Sequence, residues 1–189
     1  MNRRLQQLYS MIPQTGAGIA DIGTDHGIIP VQLALSGYPG RIIASDIAEA
    51  PLRGAMSLAE ENHVRDCIRF EVSDGLDFCR PDWIDCVLIA GMGGDNICRI
   101  LDRAEWIMEG EHTLILQPMT HPEVLRYWLL HNEFQITEEA VIAEDGHIYQ
   151  MFRAASGKCT SVSDAEYCAG IRVARHSGDP TVLALRDVQ

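Results

Sequence analysis

The sequence predicts an α/β domain built on a doubly wound, mostly parallel seven-stranded sheet with an antiparallel hairpin at one edge. Short, nearly continuous apolar runs alternate with segments whose apolar residues recur at helical spacing. This alternation is typical of parallel strands that helices cover on both faces. The last two apolar runs flank an Asp-Gly pair, which is a hairpin turn signal. The 189 residues suffice for one domain with its own core.

Seven strands are expected from the apolar runs. The five that precede the hairpin are expected to be parallel and lie at 17–22, 41–47, 67–72, 84–90 and 112–117. The hairpin strands are expected at 134–142 and 147–154, on either side of Glu144-Asp145-Gly146. The sheet therefore closes at one edge with an antiparallel pair.

Four helices are expected between these strands. In 27–36 the apolar residues share one face, and Pro51 is expected to open the next helix, since proline suits the first turn. A continuous third helix is expected over 95–108. Thr120 and Glu123 have the spacing of a capping box, which predicts the start of the fourth helix.

The composition limits the classes of partner and compartment. The chain carries 15 basic and 27 acidic residues, for a formal net charge of -12. Such a surface repels nucleic acid at long range, so a nucleic-acid partner needs a local arginine patch. No apolar run approaches the ~20 residues that span a bilayer, and the start does not resemble a secretory signal. No two of the six cysteines form a C-x-x-C pair, so a zinc ribbon or thioredoxin-type site is not indicated. We expect free thiols in a cytoplasmic protein.

A glycine loop follows the first predicted strand and reads Asp21-Ile-Gly23-Thr-Asp25-His26-Gly27. Glycines there allow a tight turn and a close approach by a ligand. A diphosphate would be repelled by Asp21 and Asp25, whereas a ligand with an ammonium and a sulfonium, such as S-adenosylmethionine, suits them. The alternative is a tight turn without a ligand, in which Asp25 caps the following helix.

Three further loops follow strands two, three and four. Asp46 lies 25 residues after Asp21, where an acid can accept hydrogen bonds from both hydroxyls of a ribose; the alternative is an ordinary turn aspartate. Asp74-Gly75 comes next, and then Ala90-Gly91-Met92-Gly93-Gly94, whose glycines permit a flat ligand to approach. The carboxyl ends of parallel strands share one edge, so we expect one site there.

The motifs DIGTDHGIIP, SDGLDF, IAGMGG, LILQP and EDGHIY together resemble the bacterial tRNA (adenine-22, N1)-methyltransferase family, over roughly residues 2–155. The resemblance implies a Rossmann-like class I methyltransferase fold, S-adenosyl-L-methionine as the methyl donor and tRNA as the acceptor. We therefore expect a methyltransferase domain at 1–155 and a linker with a short tail at 156–189. The tail contains one helix candidate, at 164–175. The family's C-terminal coiled-coil domain is then absent or vestigial.

The resemblance also assigns site residues. The cofactor loop matches Asp21, Gly23, Thr24, Asp25 and Gly27; the ribose acid and its neighbour match Asp46 and Ile47; the adenine site matches Asp74 and Gly75; and the loop beside the transferred methyl matches Ala90, Gly91 and Met92. Adenine N1 attacks with its own lone pair, so the catalytic need is for groups that stabilise the developing positive charge. Asp25 and His26 are the candidates, with Asp95 as a further one.

Other functions remain open on the residues alone. A nicotinamide-dependent oxidoreductase shares the fold, but the acidic loop disfavours its diphosphate. A small-molecule methyltransferase or a non-catalytic cofactor-binding module is the remaining alternative. The scattered histidines predict no metal site. Candidates for holding tRNA or its flipped base are Arg53, Arg99, Arg103 and Arg126, although isolated helix arginines are more often solvated.

Overall fold

The computed structural model describes residues 1–14 and 16–157. The predicted tail helix at 164–175 and the predicted linker beyond 157 lie outside the described residues. Seven strands form one sheet in the order β3-β2-β1-β4-β5-β7-β6. They are β1 (Gly18–Ile22), β2 (Arg41–Asp46), β3 (Ile68–Val72), β4 (Cys86–Met92), β5 (Thr113–Pro118), β6 (Phe134–Glu144) and β7 (His147–Ser156).

The first five strands are parallel, and the β6–β7 hairpin adds antiparallel to β5. All five residues of β1 are buried, because β1 lies between β2 and β4 and is covered on both faces. The predicted doubly wound sheet with an antiparallel edge is confirmed. Each predicted strand lies within three residues of the observed bounds.

Helices cover both faces of the sheet. They are α1 (Arg3–Met11), α2 (Ile28–Leu35), α3 (Glu49–Glu61), α4 (Gly94–Arg103), α5 (Trp106–Glu109) and α6 (Pro122–His131). One core layer packs α4, α5 and α6 on the sheet, and the other packs α1, α2 and part of α3 on the opposite face. None of the helices in the described part of the chain is long and apolar enough to cross a membrane.

The first helix was not expected from the sequence. Asn2 caps α1 by accepting a hydrogen bond from the amide of Leu5, at 2.9 Å. Leu8 and Met11 are fully buried under the sheet. The Asn2 cap and the helical spacing of Leu8 and Met11 could have predicted this helix from the sequence.

Three predicted helix ends are wrong. α3 begins at Glu49, so Pro51 is its third residue, which the first turn tolerates because its amides have no intrahelical acceptor. The helix predicted over 95–108 is broken at Ala104, whose ψ of 62° is not helical. The predicted capping box does not form: the amide of Gly94 donates to the Thr120 carbonyl, and the left-handed His121, φ 52°, is the N-cap of α6 instead.

A buried ion pair joins α6 to the hairpin. The Arg126 Nη2 lies 2.5 Å from Glu139 Oε1, with side chains 1% and 6% exposed. The guanidinium carbon also lies 4.7 Å from the centre of the Phe152 ring. The prediction that Arg126 contacts RNA is therefore wrong, since its charge is used inside the fold.

We expect Arg126→Met to destabilise the protein by about 3–5 kcal/mol, because it leaves the Glu139 carboxylate buried without its arginine. Urea denaturation measures this. The matched control is Arg53→Met, which removes an exposed pair with Glu49 and should cost less than about 1 kcal/mol. Equal losses in the two variants would show that the Arg126–Glu139 pair does not hold the hairpin.

Candidate active site

A cleft of about 500 Å³ opens at the carboxyl edge of the parallel strands. Ten predicted site residues line it: Asp21, Gly23, Thr24, Asp25, His26 and Gly27 after β1, Asp46 at the end of β2, and Ala90, Gly91 and Met92 at the end of β4. The shared edge of the strands brings these loops together, as the sequence predicted. Ile47, Asp74 and Gly75 do not line this cleft.

The glycine loop is anchored to the neighbouring strand. The amides of Gly23 and Thr24 both donate to the Ser45 carbonyl of β2, at 2.8 and 2.9 Å. Gly27, φ 66°, is the N-cap of α2, and a Cβ there would lie 2.6 Å from Ala55 Cβ. Gly27 therefore allows α2 and α3 to pack closely, and Asp25 does not cap the helix.

Asp21 places a carboxylate inside the protein at the base of the cleft. The residue is 8% exposed. Burial raises the pKa of Asp21 to about 6, and the Thr24 hydroxyl, which donates to Oδ2 at 2.7 Å, lowers that pKa in part. An ionised carboxylate with so little solvent is stabilised when a cationic group enters the cleft.

Asp25 and His26 form the outer rim of the cleft. Their side chains are 78% and 70% exposed, and the Asp25 Oδ2 lies 3.3 Å from the His26 Nε2. Both therefore meet whatever enters from solvent. Asp46 lies deeper, where its Oδ1 accepts the amide of Ala48 at 2.8 Å, which leaves acceptor capacity on the carboxylate.

The predicted adenine-site residues face another part of the structure. The Arg103 Nη1 of α4 lies 2.5 Å from Asp74 Oδ2, and the same guanidinium also contacts Asp77. Gly75 packs on Ile100 of α4. Ile47 is 70% exposed at the same edge of the sheet. Asp74 is thus paired with α4 and is not among the residues that line the cleft.

The loop after β4 forms the floor of the other half of the cleft. Gly91 has φ 80°, and a Cβ there would meet nothing nearer than Arg4 Nη1, at 4.0 Å. A Cβ on Gly23 would overlap the Met92 methyl, so the loops after β1 and β4 pack closely together. The space above Gly91 is thus open to a ligand.

Asp95 does not line the cleft, although it follows this loop. Its Oδ2 lies 2.5 Å from His121 Nδ1, and this contact raises the pKa of His121 and lowers that of Asp95. The pair joins the starts of α4 and α6. Asp95 therefore holds two helix ends together.

Sequence reasoning missed two side chains on the wall opposite the glycine loop. Arg4 of α1 and Tyr149 of β7 line the cleft, and the Arg4 guanidinium carbon lies 5.3 Å from the Tyr149 ring centre. Arg4 Nη1 also donates to the buried Gln117 Oε1 at 2.7 Å. The motifs LILQP and EDGHIY contain Gln117 and Tyr149, but nothing in them identified Arg4.

The four arginines predicted to contact RNA do not form one patch. Arg53 on α3 pairs with Glu49 at 3.1 Å, whereas α4 on the other face carries Arg99, which donates to Asn96 at 2.8 Å. Arg103 contacts two carboxylates, and Arg126 is buried. The arginine that does lie at the cleft is Arg4.

The strand order and the acidic glycine-rich cleft at its carboxyl edge define a class I methyltransferase domain. A family model described as a methyltransferase domain matches residues 1–152. The tRNA (adenine(22)-N(1))-methyltransferase of Bacillus subtilis is 33% identical over 157 residues, which cover 83% of this chain and 66% of the relative. The chain belongs to this family of methyltransferases and spans about two thirds of the length of that curated relative.

Solved structures agree with the fold. The crystal structure of the B. subtilis m1A22 tRNA methyltransferase is 29% identical, with a TM-score of 0.87, and the match covers 97% of this chain and 80% of that one. A Streptococcus pneumoniae protein in complex with S-adenosyl-L-methionine is 28% identical, with a TM-score of 0.90 and coverages of 99% and 86%. The predicted class I methyltransferase fold and family are confirmed.

The burial of Asp21 has a consequence for stability. A raised pKa means that the contribution of Asp21 to the free energy of unfolding falls as pH rises from about 3.8 to about 6. We expect Asp21→Asn to stabilise the ligand-free protein by up to about 3 kcal/mol at pH 8, and hardly at all near pH 4.

Urea denaturation at several pH values between 4 and 8 measures the effect of Asp21→Asn. The control is Asp25→Asn, which neutralises the exposed neighbouring carboxylate and should change stability little at any pH. A gain from Asp21→Asn that is the same at pH 4 and pH 8 would contradict the account of Asp21 as a buried, desolvated acid.

Proposed function

We propose that this chain transfers a methyl group from S-adenosyl-L-methionine to N1 of an adenine in tRNA, at position 22 as in the named relative. The observation that carries the proposal is the cleft itself. Its base holds buried and half-buried carboxylates on the β1 and β2 side, and its other half opens above Gly91 at the end of β4. Family membership supports the same reaction.

The donor set of the cleft fits this cofactor. The buried Asp21 carboxylate and the exposed Asp25 carboxylate suit its cationic groups, and neither suits a diphosphate. Asp46 can accept hydrogen bonds from ribose hydroxyls with the acceptor capacity that Ala48 leaves. When bound, the cofactor supplies an activated methyl on a sulfonium. The acidic cleft also disfavours the alternative of a nicotinamide-dependent oxidoreductase.

The residues on the rim complete the proposed reaction. Adenine N1 attacks with its own lone pair, so no side chain has to remove a proton first. The positive charge that develops on the base is stabilised by the Asp25 carboxylate, and His26 lies beside it on the rim. Gly91 leaves room for the base to approach in line with the methyl. Ile47 lies beside Asp46 at the ribose end, and Asp74 and Gly75 remain the proposed adenine-end residues, with Asp74 Oδ2 paired to Arg103 in the ligand-free protein.

The test is methyl transfer from radiolabelled cofactor to unmodified tRNA, followed by nucleoside analysis for 1-methyladenosine. We expect Gly91→Val to abolish transfer, because the added side chain fills the open space above the loop. Gly146→Val is the matched control: Gly146, φ 77°, lies in the β6–β7 turn with open space around it, so it carries similar backbone strain away from the cleft.

The two glycine variants decide what the loop does. Loss of transfer in folded Gly91→Val, with transfer retained in Gly146→Val, is the expected result. Activity near wild type in folded Gly91→Val would show that the loop only turns the chain. Wild-type protein that binds the cofactor but leaves tRNA unmethylated would overturn the proposed substrate.

We expect Asp46→Ala to weaken S-adenosyl-L-methionine binding by about 1–3 kcal/mol, since charge-assisted hydrogen bonds to ribose are lost. Isothermal titration calorimetry measures the Kd. Glu60→Ala, which removes an equally charged but exposed side chain near the far end of α3, is the control and should leave the Kd unchanged. An unchanged Kd for Asp46→Ala would rule out the ribose contact.

A further inference from the structure

We propose that Arg4 binds a backbone phosphate of the acceptor nucleotide and so forms an anion subsite in an otherwise acidic cleft. This inference rests on the proposed tRNA substrate and adds the contact that holds it. Among the described residues that line the cleft, Arg4 is the only arginine, and no lysine is present. The subsite would recognise a nucleic-acid phosphate regardless of base.

Two neighbours hold the Arg4 side chain in position. Gln117, which is fully buried, accepts from Nη1 at 2.7 Å, and the Tyr149 ring lies under the guanidinium carbon at 5.3 Å. Gln117 is itself oriented, because its Nε2 donates to the Pro118 carbonyl at 2.9 Å. The guanidinium has five N–H donors, so this arrangement keeps donors for an anion.

Charge is divided between the two halves of the cleft. The carboxylates of Asp21, Asp25 and Asp46 follow β1 and β2, whereas Arg4 lies over β5 and β7 through Gln117 and Tyr149. The proposed cofactor is cationic, and each nucleotide of the proposed acceptor carries one negative phosphate. The division therefore directs each ligand to its own half, and it lowers the repulsion that a net charge of -12 imposes on RNA.

The position of Arg4 fits a phosphate better than it fits the base. A Cβ on Gly91 would lie 4.0 Å from Arg4 Nη1, so the guanidinium adjoins the loop above which the base is proposed to react. The methylated base carries a positive charge, and an arginine stacked on its face would oppose that charge. A phosphate of the same or the next nucleotide can accept charge-assisted hydrogen bonds from the arginine, and no repulsion between positive charges arises.

The experiment compares Arg4→Gln with Arg3→Gln. Arg3 is the exposed neighbour on α1 and does not line the cleft, so both variants lose one positive charge from the same helix. The Kd of unmodified tRNA is measured by fluorescence anisotropy at several salt concentrations, with S-adenosyl-L-homocysteine present so that no transfer occurs. The Kd of S-adenosyl-L-methionine and the kcat and KM for tRNA are measured in parallel.

We expect Arg4→Gln to weaken tRNA binding about tenfold at low salt and to reduce the log–log salt slope by about 1, as one lost phosphate contact predicts. KM should rise more than kcat falls, and the Kd for the methyl donor should stay the same. Arg3→Gln should have a smaller effect on both tRNA affinity and slope. Arg4→Lys should restore much of the slope, because it keeps the charge.

Three kinds of result overturn the inference. An unchanged salt slope of tRNA binding in Arg4→Gln shows that Arg4 makes no specific phosphate contact, and so do equal losses of tRNA affinity in Arg4→Gln and Arg3→Gln. If the wild type still methylates tRNA in that case, the proposed function is unaffected. A fall in kcat alone assigns Arg4 to the base. No tRNA binding by the wild type also overturns it. Conversely, an Arg4-dependent slope without any methylation keeps the anion subsite and refutes the proposed reaction.

Discussion

The burial of β1 on both faces is the constraint on which the rest of the structure depends. Its five residues lie between β2 and β4 and under helices on both sides, so no polar group along it meets solvent until the strand ends. The chain must turn sharply there, and the amides of Gly23 and Thr24 are satisfied by Ser45 on the neighbouring strand. Polar side chains of the buried strands therefore occur where these strands end, and there they line the cleft.

The burial of β1 destabilises the Asp21 carboxylate and also prepares it to bind a cation. The residue belongs to the buried strand, so its carboxylate is desolvated, and its pKa is raised to about 6. Thr24 offsets part of that penalty through one hydrogen bond. A poorly solvated carboxylate destabilises the ligand-free protein, and a bound cation would offset this penalty. The burial of Asp21 thus lowers the stability of the ligand-free protein at the base of the cleft.

Local patterns in the sequence predicted the parallel strands, the hairpin and ten residues of the cleft, because apolar runs and glycine loops carry their own signals. What failed depends on contacts between distant residues. Arg126 has the sequence context of a solvated helix arginine, but it is buried against Glu139 of β6, and the sequence around Asp74 does not show that its carboxylate pairs with Arg103. The capping box does not form because His121, in the left-handed conformation, occupies the N-cap position of α6 in place of Thr120. Arg4 was missed because its helix follows no strand and its partners lie far along the chain.

The two halves of the cleft differ in how far apart along the chain their parts lie. The carboxylate half is complete within the β1 and β2 loops, at positions 21–46. The opposite wall closes only when α1 meets residues from the end of the domain: Arg4 bonds Gln117, 113 positions away, and the Arg3 amide bonds Glu144, 141 positions away. Contacts of such separation carry a larger loop-closure entropy, which slows their formation. During synthesis the loops after β1 and β2 are therefore complete long before the β7 side of the opposite wall has been made.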